Sequence, residues 1–304
     1  MYHLLYILQS ATQVLSSLSY AQVYNNTPKM EAQTMKKPIN IKMDSEKTAD
    51  KEEQDGKNKT IVHSYGSHVD EEEERKIECM RKLVEKHDPS VKEVDNPTLR
   101  RFLRARDQDI EKASAMFVKY LKWKQTFIPK GSVSESEISN HLAQNKQFLQ
   151  GVDKQGRPIT VLFGGRHLPK KIPDGGVEEL KRFMVFALGK ICSRMAAGQE
   201  KFVVIADLQG WGYCNSDVRG CIAALTLLQD YYPERLGKLL IVHVPCIFMT
   251  VWKLIYPFID NNTKKKLVFV ENKRLKETLM EDIDESQLPA IYGGKLPLVP
   301  IQHA

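Results

Sequence analysis

Tyr232-Pro-Glu-Arg-Leu-Gly-Lys238, then Leu239-Leu-Ile-Val-His-Val244, then Ile247-Phe-Met-Thr-Val-Trp-Lys-Leu-Ile-Tyr-Pro-Phe-Ile259 decide the fold of this chain. The first piece reads as the end of a buried helix stopped by a proline, and the second as a core strand. The third predicts a helix in which Lys253 is the one charge among Phe248, Met249, Trp252, Ile255, Tyr256 and Phe258. A helix apolar nearly all round belongs either inside protein or against lipid.

Outward from there, strands and helices alternate. The Gly151–Gly156 segment signals a turn, and strands are expected at Pro158–Phe163, Phe202–Asp207, Leu239–Val244 and Leu267–Val270. Helices are expected at Glu178–Met195 and Asp217–Tyr232. Strands apolar on both faces, separated by helices, predict an α/β unit with a mostly parallel sheet under helical cover. Before it, Asn96-Pro97 and Asp109 open two helices carrying Leu99, Phe102, Leu103 and Met116, Phe117, Leu121. The acidic run Asp70–Glu74 is read as the solvated first turn of an earlier helix. The organisation expected is a disordered, Lys-rich region over 1–68, a small helical subdomain over 69–130, and the α/β domain over 140–298.

With 304 residues, 42% of them hydrophobic, the chain can bury a large core. A net charge of +7 suits an anionic partner, either nucleic acid or an anionic membrane face. The basic residues are scattered without interleaved aromatics, so a nucleic-acid role is not expected. The five cysteines show no ligand spacing and are expected to be reduced, mostly buried thiols of a cytosolic protein. Met1–Tyr20 lacks the basic residues of a leader. No Gly-x-Ser-x-Gly elbow or phosphate loop occurs, and Gly210-x-Gly212 lacks its third glycine, Asn215 standing in its place. His243 is read as a core histidine, and Asp207 either as a ligand-edge residue or as a turn cap. No enzyme, cofactor or metal site is expected.

Several motifs in one order resemble the CRAL-TRIO lipid-binding family, and within it the yeast-type phosphatidylinositol transfer proteins. They are Thr98-Leu-Arg-Arg-Phe-Leu-Arg-Ala-Arg106 with the Trp123 helix, Asp153-Lys-Gln-Gly-Arg-Pro158, Asp207-Leu-Gln-Gly210, Gln229–Lys238, Pro257-Phe-Ile-Asp260 and Leu288–Gly294. The resemblance implies a sheet enclosing an apolar lipid cavity, with a mobile helix as its gate. It implies that Arg106, Glu234, Thr263 and Lys266 hold an inositol phosphate headgroup. Cations and donors for a buried phosphodiester make chemical sense of that set, with Glu234 accepting from inositol hydroxyls. Each residue also has a plainer reading: Arg106 paired with surface acids, Lys266 in the solvated run Lys264–Lys266, Thr263 as a helix cap, Glu234 paired with Arg235 or Lys238. The hydroxyl pair of choline-lipid binders is replaced by Phe202 and Val204, so the second lipid is left open.

The expected function is uptake of phosphatidylinositol and its exchange at membranes by a cytosolic, transiently peripheral protein that is expected to be a monomer. The gate would comprise Phe248, Met249, Trp252, Ile255, Tyr256 and Phe258. Alternatives are a lipid-regulated sensor or adaptor, and a carrier of an apolar small molecule.

Overall fold

Residues 64–173 and 176–304 are described by the computed structural model. The expectation of disorder over 1–68 falls, up to residue 63, outside the described residues. From Ser64 the chain is helical: α1 spans Ser64–Glu85, α2 Asn96–Arg104 and α3 Ile110–Phe127. Asp95, rather than Asn96, caps α2 by accepting from the Thr98 amide at 3.2 Å, and Pro97 occupies its first turn. Asp109 caps α3 through the Lys112 amide at 3.0 Å. The three helices bury Ile77, Met80, Val84, Leu99, Leu103 and Phe117 in a core of their own, and Phe102 meets Phe117 edge-on at 4.8 Å.

The acidic run departs from its reading as a solvated first turn, because it lies inside α1 and is put to use there. Glu73 accepts from Arg104 Nε and Nη2 at 2.7 and 2.6 Å and from Gln108 Nε2 at 2.8 Å. Arg104 holds the Glu73 carboxyl below its ordinary pKa.

A five-stranded sheet follows, with strands in sequence order: β1 Gln147–Val152, β2 Pro158–Phe163, β3 Phe202–Asp207, β4 Leu236–Val242 and β5 Leu267–Phe269. The hairpin partner β1 is antiparallel to β2, and all later neighbours are parallel. Parallel strands joined in sequence order by right-handed crossovers place every connecting helix on one face. Those helices are α5 Val177–Ser193, α6 Val218–Tyr231, α7 Phe248–Ile255 and the short α8 Asn261–Lys264; a five-residue α4, Ser139–Ala143, precedes β1. The opposite face is covered by α9, Leu275–Asp282, and by the segment through Tyr292.

Asp153-Lys-Gln-Gly-Arg-Pro158 is explained by the β1–β2 turn. Asp153 accepts from the amides of Gln155 and Arg157, and from Arg157 Nε at 2.6 Å. The Arg157 side chain lies over Gly237, where a β-carbon would come within 2.8 Å of Nη1. The glycine of the decisive segment is therefore fixed by the arginine of a distant turn.

The two faces differ in packing. Val203, Ile205, Leu240 and Val242 are fully buried against α9 and Tyr292. On the helix face, the register aligns Leu162 with Ala206, Thr160 with Val204, Val204 with Leu239, and Leu239 with Leu267. Val204 and Ala206 belong to the central strand, yet they and Leu239 and Leu267 are only half-buried. The helix face of the sheet is therefore packed less tightly than the face under α9, and the side chains it presents there are mostly apolar.

The apolar stretch 247–259 is shorter as a helix than expected. α7 ends at Ile255, and Tyr256–Phe258 form a 3-10 turn around Pro257, whose missing N–H ends the helical ladder. The cysteines also differ from expectation: all five are free, but Cys79, Cys214, Cys221 and Cys246 are exposed and Cys192 is half-buried. Among the described residues no helix is long and apolar enough to cross a membrane.

Candidate functional site

Three basic or acidic residues stand immediately before three adjacent parallel strands: Lys201 before β3, Glu234 two residues before β4, and Lys266 before β5. The sheet therefore gathers them at its amino edge. Glu234 Oε2 lies 3.4 Å from Lys266 Nζ and 3.9 Å from Lys201 Nζ. The expected alternatives for Glu234, pairing with Arg235 or Lys238, are not what forms: Arg235 donates to the Glu200 carbonyl at 3.1 Å, and Lys238 pairs with Asp282. Glu234 has φ of 57°, a left-handed backbone rarely adopted outside glycine and asparagine.

Lys266 is not part of a uniformly solvated run, since its side chain is 19% exposed. Its backbone is locked on both sides, donating to Thr263 O at 2.9 Å and accepting from the Leu239 amide at 2.8 Å. Thr263 is half-buried one turn earlier and is not the cap of α8; Asp260 is, accepting from the Thr263 amide at 2.8 Å. Arg106 follows α2 and is half-buried, with Nη1 donating to Ala105 O at 2.8 Å. Among the described residues it makes no ion pair. The structure thus brings Glu234 and Lys266 together and joins Lys201 to them, a partner that nothing in the sequence singles out; Thr263 is tied to Lys266 through its backbone carbonyl, and Arg106 bonds to neither.

α7 packs against α6 and β5. Val251 and Ile255 pack with Val218 and Ile222 of α6, in a small cluster separate from the main core. Trp252 lies between Phe248 and Tyr256, each 5.9 Å away, and meets Phe269 edge-on at 5.2 Å. Met249 and Tyr256 are exposed, and Lys264 sits 4.6 Å over the Tyr256 ring. The helix is therefore amphipathic toward its surroundings although its sequence is apolar nearly all round.

The carboxyl edge of the sheet carries two polar clusters, one built on Asp207 and His243 and one on Lys146. Asp207, 1% exposed, holds His243 Nδ1 at 2.9 Å and accepts from Tyr292 Oη at 2.8 Å. His243 lies just past β4 with φ of 51°, so it is not the in-strand histidine expected. A carboxylate orienting an imidazole is also a general-base arrangement, but among the described residues no hydroxyl or thiol hydrogen-bonds His243. Nearby, the buried Lys146 Nζ contacts His141 Nδ1, His167 Nδ1 at 3.0 Å and Gln144 Oε1 at 2.9 Å. His167 Nε2 is 3.5 Å from Asp217, the N-cap of α6. Burial, with Lys146 alongside, pushes His141 down to about 4, and burial brings Lys146 down to about 7. Among the described residues no group of histidines, cysteines and carboxylates could hold a metal ion.

Residues 142–294 match the CRAL/TRIO domain. The CRAL-TRIO domain-containing protein YKL091C of Saccharomyces cerevisiae is 32% identical over 250 residues, covering 75% of this chain and 79% of its own. The Sec14 cytosolic factor of Schizosaccharomyces pombe is 31% identical, covering 76% of this chain and 85% of its own. The phosphatidylinositol/phosphatidylcholine transfer protein SFH13 of Arabidopsis thaliana is 30% identical, over 74% of this chain and 39% of its own. Among solved structures, Sfh5 shares the fold, with a TM-score of 0.54 at 18% identity, over 68% of this chain and 83% of that one.

Proposed function

This chain belongs to the CRAL/TRIO family, and on that premise we propose that it is a lipid-binding and transfer protein that takes one phosphatidylinositol into the space between its sheet and helices. The observation that carries this reading is the meeting of Glu234 and Lys266 at the amino edge of the sheet, with Thr263 one turn before Lys266, beside a half-buried apolar floor. Lys266 supplies the cation for a phosphodiester, and the Thr263 hydroxyl a donor. Glu234 accepts from inositol hydroxyls, and Arg106 approaches the phosphate from the turn after α2. Val204, Ala206, Leu239 and Leu267 accommodate acyl chains.

α7 is the gate in this reading. Its buried residues Val251 and Ile255 pack in a satellite cluster, so it can swing without disrupting the main core. Open, it presents Met249, Trp252 and Tyr256 to the membrane interface, and Lys264 and Lys265 attract anionic lipid. The protein then works in the cytosol and meets membranes transiently. A second reading, a carrier of an apolar small molecule, draws support from the floor: Thr160 is its hydroxyl, and that hydroxyl is already donated to Phe148 O.

Mass spectrometry of lipid extracted after incubation with mixed-lipid vesicles tests both. Stoichiometric phosphatidylinositol is expected. An apolar cargo would favour the second reading, and an empty cavity would sink both.

A further inference from the structure

Trp123 stands on α3, but its closest ring partner lies at the far end of α6. Its indole stacks on Tyr231 at 4.1 Å with the planes 7° apart, and meets Tyr232 edge-on at 6.1 Å. Lys119, one turn earlier on α3, donates to Asp230 Oδ2 at 2.6 Å and lies 5.7 Å over the Tyr231 ring. Asp230, Tyr231 and Tyr232 are the residues that lead into Pro233 and Glu234.

The other flank of Glu234 is held from the same side. Arg235 donates to the Glu200 carbonyl, and the Glu200 carboxylate pairs with Arg101 of α2 at 3.2 Å. Arg101 is buried and Glu200 only partly exposed, so this pair is screened by salt less than a surface pair. Both ends of the Tyr232–Arg235 turn are thus gripped by the helical unit α1–α3.

Glu234 needs that grip. A left-handed backbone is unfavourable for a residue with a β-carbon and persists only where its surroundings over-determine it. Pro233 is buried and fixes its own φ, which leaves the flanking contacts to set where the Glu234 carboxylate points.

We propose that Trp123 and Tyr231 are positioning residues for the headgroup site, their stack holding the Tyr232–Arg235 turn so that the Glu234 carboxylate stays opposite Lys266. The helical unit is then part of lipid recognition, acting through Glu234 without touching the ligand. This rests on the reading of Glu234 and Lys266 as headgroup residues.

A double-mutant cycle on the full chain separates positioning from mere stability. The measured quantity is capture of phosphatidylinositol from phosphatidylcholine vesicles that contain it. Trp123→Ala should weaken capture about threefold to tenfold, the worth of one aromatic pair, and Trp123→Phe should restore most of it. In a Glu234→Ala background, Trp123→Ala should cost nothing further. Losses that simply add would overturn the proposal, as would unchanged capture by Trp123→Ala beside a weakened Glu234→Ala. If Glu234→Ala itself captures normally, the headgroup reading fails and takes this inference with it. Should Trp123→Ala not fold, as judged by near-ultraviolet circular dichroism, Tyr231→Leu runs the same cycle from the other ring.

Discussion

Lys266 Nζ and Glu234 Oε2 stand 3.4 Å apart, in electrostatic contact but beyond the 2.7–2.9 Å or so of a tight charge-assisted hydrogen bond. Each side chain is about one-fifth exposed, so neither is fully committed to the other. A pair held at this distance can admit a phosphate oxygen to the ammonium and a hydroxyl to the carboxylate.

Lys266→Ala is therefore expected to lower phosphatidylinositol capture by about tenfold, the loss of one charge-assisted contact. A partly exposed pair contributes about 1 kcal/mol or less to folding, so the melting temperature should move by only a few degrees. Vesicle-to-vesicle transfer and a thermal melt, measured on one preparation, check both halves; a large fall in melting temperature would reassign Lys266 to structure.

Val204→Trp should block two-chain lipid uptake while leaving the protein folded, because the new ring would fill the less tightly packed helix face of the sheet, where the acyl chains are proposed to lie. The same substitution at Val203, on the fully buried face, should prevent folding. Lipid content by mass spectrometry and circular dichroism distinguish the two. Normal uptake by Val204→Trp would place the cargo elsewhere.

Trp252 fluorescence should shift to shorter wavelength on anionic vesicles, in a variant whose Trp123 and Trp211 are replaced by phenylalanine. Raising ionic strength should reverse the shift, since Lys264 and Lys265 act on the surface within a Debye length of about 10 Å at 0.1 M salt. A wavelength insensitive to vesicles would mean that α7 stays closed.

Acid should destabilise the fold through His141. Its folded pKa is lowered from 6.5 to about 4 by burial and by Lys146, so between those values the unfolded chain takes up a proton that the folded chain refuses. Stability accordingly falls as pH drops from 6.5 to 4. Lys146, lowered from 10.5 to about 7, adds a rise in stability as pH climbs from 7 toward 10.5. Glu179, whose carboxylate accepts from the His141 amide at 3.1 Å, tempers both effects, and Asp217 tempers the second. Urea midpoints across this range, compared with those of His141→Asn, should show a shallower acid slope in the variant.

Tyr292→Phe removes the hydroxyl that Asp207 accepts from, in a buried setting, and should cost about 1–3 kcal/mol. Lipid capture should persist, since Tyr292 packs on the face of the sheet away from the proposed cavity. Chemical denaturation and a capture assay report the two separately.

The parallel strands were legible because each is an apolar run between a helix and a turn, and Phe202–Asp207 falls where the sequence puts it. β1 was not foreseen: Gln147, Gln150 and Gly151 break its apolar pattern, and its pairing with β2 is what makes it a strand. α9 escaped for a related reason, since it buries only Leu279 fully and offers little periodicity. At the candidate site Glu234, Thr263 and Lys266 could be picked out through motif resemblance, whereas Lys201 could not. Its proximity to Glu234 comes from the parallel register of β3 and β4, a long-range relation that no local pattern encodes. The Asp207–His243 contact arises the same way, from the carboxyl ends of those two strands.

The strand order also governs the sequence of events in folding. After the first hairpin, each new strand joins the edge that the previous one has just exposed, so the sheet can grow in the direction of synthesis. A long-range debt lies at the opposite edge, where the Leu149 amide finds its acceptor in Val299 O and Phe148 bridges Pro300. β1 must wait for a partner that follows it by half the length of the chain, and closing so long a loop is slow. That edge is the last to be sealed, and a chain paused before Val299 exposes a strand free to pair with a neighbour.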